Sequence, residues 1–176
     1  ENVATGPSAT IAPLVPAQGT GPRIMLYSTH SNESFRKLPD QDYQEANNSR
    51  TLNSNYSILK VNSTLSNLLS EKYHLPIFFD NTDHEQGKYY TTSYNRSLKS
   101  IEAAKKKYDT LAVFFDIHRD AMGSSGIGDT VTVDGKPCAK IMFVVGTGEG
   151  KTGNGFREKP NWQSNKQFAE AIVAEL

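Results

Sequence analysis

Arg23-Ile24-Met25-Leu26-Tyr27-Ser28-Thr29-His30-Ser31-Asn32-Glu33 is the stretch on which the fold of this chain turns. Four apolar residues in a row, without polar alternation and too short for a helix, predict a strand buried on both faces. The run stops at Ser28, and polar residues then dominate as far as Asn55. A connection that long without a periodic pattern is uncommon in a compact domain and points to function. Its histidine, His30, lies just past the carboxyl end of the strand, where open α/β sheets bind their ligands.

Working outward, Ile58, Val61, Leu65, Leu68 and Leu69 recur at helical spacing and predict a helix over roughly Ser57 to Tyr73. Pro76 opens a second strand, Ile77 to Phe79. Leu98, Ile101, Ala104 and Tyr108 mark a second helix, with Lys105-Lys106-Lys107 as a solvated face. Leu111 to Ile117 is a third strand. Val131 to Val133, Asp134-Gly135 and Cys138 to Val145 read as a hairpin on a two-residue turn. Phe168, Ile172 and Leu176 place a last helix at the end. Strand and helix alternating in this way predict an α/β fold, a mixed and mostly parallel sheet with helices on both faces. Each earlier helix is followed by a strand and the last is not, so a closing strand is expected beyond Leu176.

The first 22 residues hold one charge, Glu1, and half of the eight prolines. Such a segment cannot bury enough apolar surface to offset its ordering entropy and is expected to be a flexible linker. Residues 23–176 are expected to form one domain. Nineteen basic and nineteen acidic residues cancel to a net charge of +0, which removes the electrostatic footprint of a nucleic-acid binder. No apolar run is long enough to cross a bilayer, and no signal peptide is visible. The one cysteine, Cys138, excludes an internal disulfide and a tetracysteine zinc site. A metal would have to rest on His, Asp or Glu.

Two histidines stand at strand ends, His30 after the first and His118 after the third. His30-Ser31-Asn32-Glu33 carries the His-x-x-Glu spacing, which lets an imidazole and a carboxylate converge when the segment turns. With His118 as third ligand the set suits a catalytic zinc site that keeps one position open for water. Zinc there would lower the pKa of water to about 7 and polarise a scissile carbonyl. The bland alternative is a salt-bridge cluster, since an apolar strand ending in Asp116-Ile117-His118-Arg119-Asp120 is costly unless those groups are paired. His74 reads as a partner of a helix C-terminus and His84 as a loop residue, both on the surface. Gly146-Thr147-Gly148-Glu149-Gly150-Lys151-Thr152 imitates a phosphate-binding loop, but it has one residue too few before Gly-Lys-Thr and no helix pattern after it.

Tyr27-Ser28-Thr29-His30-Ser31-Asn32-Glu33-Ser34-Phe35 and Asp116-Ile117-His118-Arg119-Asp120-Ala121 resemble the two hallmark segments of the stage II sporulation protein P family. Tyr94-Asn95-Arg96-Ser97, Met142-Phe143-Val144-Val145-Gly146 and Pro160-Asn161-Trp162 extend the resemblance, which runs from Arg23 to Leu176. It implies a fold of the zinc-amidase, phosphorylase/hydrolase-like type and an N-acetylmuramoyl-L-alanine amidase of septal peptidoglycan. It also implies an extracytoplasmic place between the septal membranes during engulfment, tethered by an anchor outside this chain. The implied partner is the lytic transglycosylase stage II sporulation protein D. By position, His30 and His118 match the family's histidine ligands and Glu33 its carboxylate, with Glu45 as the other candidate for third ligand.

Two departures from the family stand out. Ser28 occupies a position where the family usually has His. The family's general-base Glu lies on a strand after the last helix, beyond Leu176, and neither Glu149 nor Glu158 sits in a matching motif. Arg96 and Arg119 are expected either to meet a peptide-stem carboxylate or to tie helix to sheet. Two other readings stay open. One is a non-catalytic peptidoglycan-binding module; the other is a zinc carboxypeptidase-like enzyme.

Overall fold

The computed structural model describes residues 20–46, 49–85, 87, 90–121, 128–148 and 159–176. They fall into two compact units, one within residues 17–127 and one within residues 128–176. In the first, β1 (Ile24–Tyr27), α1 (Ile58–Tyr73), β2 (Ile77–Phe79), α2 (Ser93–Lys107) and β3 (Val113–Asp116) follow one another, with a single turn of 3-10 helix, Tyr90–Thr92, before α2. All three strands are parallel, in the order β2-β1-β3.

The central place of β1 follows from its composition. Met25 and Leu26 are fully buried, as a strand flanked on both edges and covered on both faces requires. Met25 and Tyr27 project to one face, where Ile101 and Ala104 of α2 pack on them with Phe78 and Phe114. Leu26 alternates to the other face, and α1 packs against β1 and β2. Helices therefore cover both faces of the parallel sheet, as the sequence predicts. Ile24 stands opposite Ile77 and Val113, and Tyr27 opposite Asp116. That register brings the chain after β1 and the chain after β3 to the same edge.

Ser57 caps α1: its backbone is extended and its Oγ accepts the N–H of Leu59 at 3.3 Å. His74 ends the helix in the left-handed conformation, φ 53°, its N–H bonded to Leu69 O, and Pro76 follows. The stripe that α1 buries is Ile58, Asn62 and Ser66, whereas the predicted Val61 and Leu68 are exposed. The shift has a polar cause. Asn62 Nδ2 donates to Ser28 Oγ at 3.2 Å, so α1 turns an amide toward the end of β1. β3 is shorter than predicted, because its one partner, β1, offers only Ile24 to Tyr27 for it to pair with.

In the second unit, β4 (Thr130–Val133) and β5 (Lys136–Ala139) form an antiparallel hairpin, and α3 covers Trp162–Ala174. Asp134 and Gly135 both have positive φ, 50° and 75°, as the tightest hairpin turn demands. The predicted second strand, Cys138 to Val145, is corrected here: β5 ends at Ala139, where β4 runs out of partners, and Met142 to Val145 lie in irregular chain. The expected linker falls outside the described residues as far as residue 19, as do Glu149, Glu158 and most of the loop that imitates a phosphate cradle. Among the described residues no helix is long and apolar enough to cross a membrane.

Candidate functional site

Parallel pairing of β1 with β3 sets the site. Thr29 and His30 continue from Tyr27, and Ile117 and His118 continue from its partner Asp116, so the two imidazoles emerge side by side. Their ring centroids are 5.4 Å apart at 71°. The chain after His30 turns back at once, Glu33 N donating to His30 O at 3.1 Å. This turn returns the Glu33 carboxylate to His118: Oε2 lies 3.7 Å from Nδ1 and accepts the backbone N–H of Arg119 at 3.4 Å. Sequence reasoning paired these three residues, and the fold brings all three together.

Every residue from Ser28 to Ser34 is buried although all are polar, which is costly unless each group finds a partner. Thr29 donates to Asp116 twice, from N at 2.8 Å and from Oγ1 at 2.6 Å. Ser31 Oγ donates to Asp83 at 2.5 Å. Ile58 N at the start of α1 donates to Glu33 O at 2.7 Å. The loop after β1 is thus a bonded shelf rather than slack chain.

Glu85 is the residue that sequence reasoning missed. Its side chain is 3 % exposed, with Oε1 3.2 Å from His30 Nδ1. Its Oε2 accepts Asn32 N–H at 3.0 Å and pairs with the Arg50 guanidinium. Tyr90 stacks on the His30 ring with centroids 4.2 Å apart, Tyr94 meets its edge at 5.2 Å, and Arg50 lies over Tyr90. A signal did exist: Asp83-His84-Glu85 lies just past the carboxyl end of β2, under the same rule that singled out His30 and His118.

His118 is held from both sides, with Asp116 Oδ1 3.1 Å from Nε2 and Glu33 at Nδ1. The hydrogen bond to Asp116, then the one to Glu33, outweigh the effect of burial and raise its pKa to about 9. For Glu33, burial pushes the pKa up most strongly, but the His118 bond, the Arg119 N–H and the neighbouring positive charges together hold it below its usual range. Burial, then the charge of Asp116, push Tyr27 and Tyr94 up, so both phenols stay protonated at neutral pH.

Two imidazoles and a carboxylate are donor types that zinc takes. Two imidazoles on one tetrahedral zinc, with nitrogens at about 2.0–2.1 Å, have ring centroids roughly 5 Å apart, close to the separation seen here. His30 has Nδ1 on Glu85, an outer carboxylate of the kind that backs metal-ligating histidines, whereas His118 has a carboxylate at each nitrogen, Asp116 at Nε2 and Glu33 at Nδ1. Among the described residues no group of three or more His, Cys, Asp and Glu side chains is arranged to hold a metal ion as it stands, and Glu33 meets His118 directly.

The other residues singled out by sequence fall as follows. Glu45 is exposed on the loop, outside the cluster. Arg96 gives Nε to the backbone O of His84 and Nη1 to Thr92 Oγ1 at 2.6 Å. The Arg119 guanidinium reaches the backbone oxygens of Ser49, at 3.2 Å, and Asp120. His74 is exposed, as expected. His84 is not on the surface: it is 2 % exposed, with Nδ1 2.9 Å from Ser28 O and Nε2 2.9 Å from Ser100 Oγ. Its ring bolts the loop after β2 to the end of β1, which explains why a polar-looking loop buries a histidine.

The family model of stage II sporulation protein P (SpoIIP) matches residues 3–176. No curated protein and no solved structure matches the chain.

Proposed function

Because the chain belongs to the stage II sporulation protein P family, which gives it a role in sporulation, we propose that it is a zinc-dependent peptidoglycan hydrolase. Its bond is the amide between N-acetylmuramic acid and L-alanine, cut as the septum is thinned for engulfment. The observation that carries this reading is the meeting of His30, Glu33 and His118 at adjacent parallel strand ends, each imidazole backed by its own carboxylate.

His30, His118 and Glu33 would hold the ion. Zinc bound there supplies Lewis-acid polarisation of the scissile carbonyl and of the attacking water. Tyr94, about half exposed beside His30, offers a flat apolar face to a glycan or stem peptide. Arg119 adjoins the cluster and is the cation we assign to a peptide-stem carboxylate. Arg96, bound to the His84 carbonyl, serves by holding the loop that carries Glu85. Amide hydrolysis also needs a group that takes a proton from water and returns it to the leaving amine. We assign that step to the general-base Glu that the family resemblance implies, a role none of the residues named above fills. The enzyme would act outside the cytoplasm, between the septal membranes, tethered by an anchor outside this chain. Peptidoglycan is its substrate and the lytic transglycosylase stage II sporulation protein D its partner.

Digestion of purified peptidoglycan by the full-length protein, read by mass spectrometry, tests the reading. Stem peptides with a free L-alanine amino terminus are expected from the parent and none from His118→Ala. Undiminished release by that variant would overturn the assignment. Binding without any release, or release of terminal D-alanine alone, would favour the module or carboxypeptidase readings instead.

A further inference from the structure

We infer that Glu85 is the positioning residue of His30, fixing the ring so that Nε2 is the nitrogen left for the metal. The inference rests on the reading of His30 as a ligand, but it is argued from Glu85 itself. Both carboxylate oxygens of Glu85 accept: Oε1 faces His30 Nδ1 at 3.2 Å, while Oε2 takes the Asn32 N–H at 3.0 Å and the Arg50 guanidinium. An acceptor on that side requires the proton of a neutral imidazole to sit on Nδ1, which leaves the lone pair on Nε2. A free neutral histidine has no such constraint.

The carboxylate is itself delivered rigidly. Asp80 N bonds Leu26 O at 2.9 Å, joining the loop after β2 to β1. Asp83 Oδ1 accepts both Ser31 Oγ and Glu85 N, the latter at 2.9 Å. His84 anchors to Ser28 O and Ser100, and Arg96 grips its carbonyl. Apart from the bond between Glu85 N and Asp83, which is internal to the loop, each joins the Glu85 loop to β1, to the segment bearing His30 or to α2. The Tyr90 stack then fixes the plane of the ring, while Glu85 fixes its rotation. Arg50 spans both, pairing with Glu85 and lying over Tyr90. Outer carboxylates of this kind raise metal affinity by about 10–100-fold where their removal has been compared.

Two readouts test this, and the first needs no metal. Nitrogen chemical shifts of the His30 ring, in metal-free protein at a pH where the ring is neutral, report which nitrogen carries the proton. The parent is expected to show Nδ1–H, and Glu85→Gln, whose amide can donate or accept at that place, a mixture or Nε2–H. The second readout is zinc affinity by competition with a chromophoric chelator. Glu85→Gln is expected to weaken it about tenfold and Glu85→Asp to retain more of it than Glu85→Gln does. An Nε2–H tautomer in the parent, or an unchanged tautomer in Glu85→Gln, overturns the inference. If the buried charge makes Glu85→Gln unstable, Arg50→Met keeps the carboxylate and is expected to keep the Nδ1–H tautomer, whose loss there would count against Glu85 as its cause. A tautomer that follows Glu85 in a protein with no zinc affinity would uphold the positioning role and sink the metal reading, so the two fail separately.

Discussion

His118 is where the electrostatics of the site can be measured most simply. Asp116 and Glu33 hold the imidazolium in the folded protein, and its pKa stands near 9 against 6.5 for an unconstrained ring. The folded metal-free state therefore binds the proton more tightly than the unfolded chain. That contribution to stability is fully present below pH 6.5 and is lost as the pH rises through about 9. The side chain is 30 % exposed, so solvent screening makes the effect modest. Thermal melts of metal-free protein from pH 6 to 10 should show the midpoint falling across this window, with a flatter profile in His118→Gln. Zinc must displace the same proton, so affinity should rise with pH over that range and binding should release protons into a weak buffer. The sequence showed the residues we propose as ligands and was silent about their supports. His30, Glu33 and His118 are legible as a spacing and a place at strand ends, whereas Glu85 and His84 matter through contacts more than fifty residues apart along the chain.

At the level of elements, α1 does more than cover the sheet. Its first N–H holds the backbone oxygen of Glu33, Ser57 caps it, and Ser57 also bridges Ser34. Ser57→Ala should cost about 1 kcal/mol in urea unfolding and should also weaken zinc binding, because the same turn seats Glu33. A loss of stability with no change in affinity would separate the cap from the site. Ala104, buried where α2 meets Met25, tolerates no growth: Ala104→Leu should cost about 1–3 kcal/mol, read in the same unfolding experiment. Helix positions were legible from 3.6-residue periodicity, but the buried stripe of α1 was not. Apolar spacing favoured Val61 and Leu68, whereas Asn62 and Ser66 face inward because the end of β1 presents a polar shelf that only polar groups can satisfy. The hairpin was legible from Asp134-Gly135 but not its length, because the register ends where β4 does, and that is a property of the partner strand.

Over the whole molecule, cohesion is unequal. β1 is bonded on both edges and covered on both faces, whereas β4 and β5 form an isolated two-stranded pair with Val131 and Val133 exposed. Two-stranded hairpins are marginal alone, so hydrogen exchange should be slowest at Met25 and Leu26 and fast throughout Thr130–Ala139. Comparable protection in the hairpin would show that some further contact holds it. The α/β class was legible because a four-residue apolar run, two periodic segments and two more short strands admit little else. The roles of Arg50, Tyr90 and Tyr94 were not, since three exposed-looking residues become a clamp only when the loop after β1 folds back beside the 3-10 turn.

Whether His30, Glu33 and His118 bind one ion together decides the proposed function. Elemental analysis after zinc reconstitution and exhaustive desalting, on folded parent protein, His30→Ala and His118→Ala, tests this directly. About one zinc per chain in the parent and little in either variant is the predicted result. A folded parent without zinc, or variants that keep the parent's full content, would contradict it.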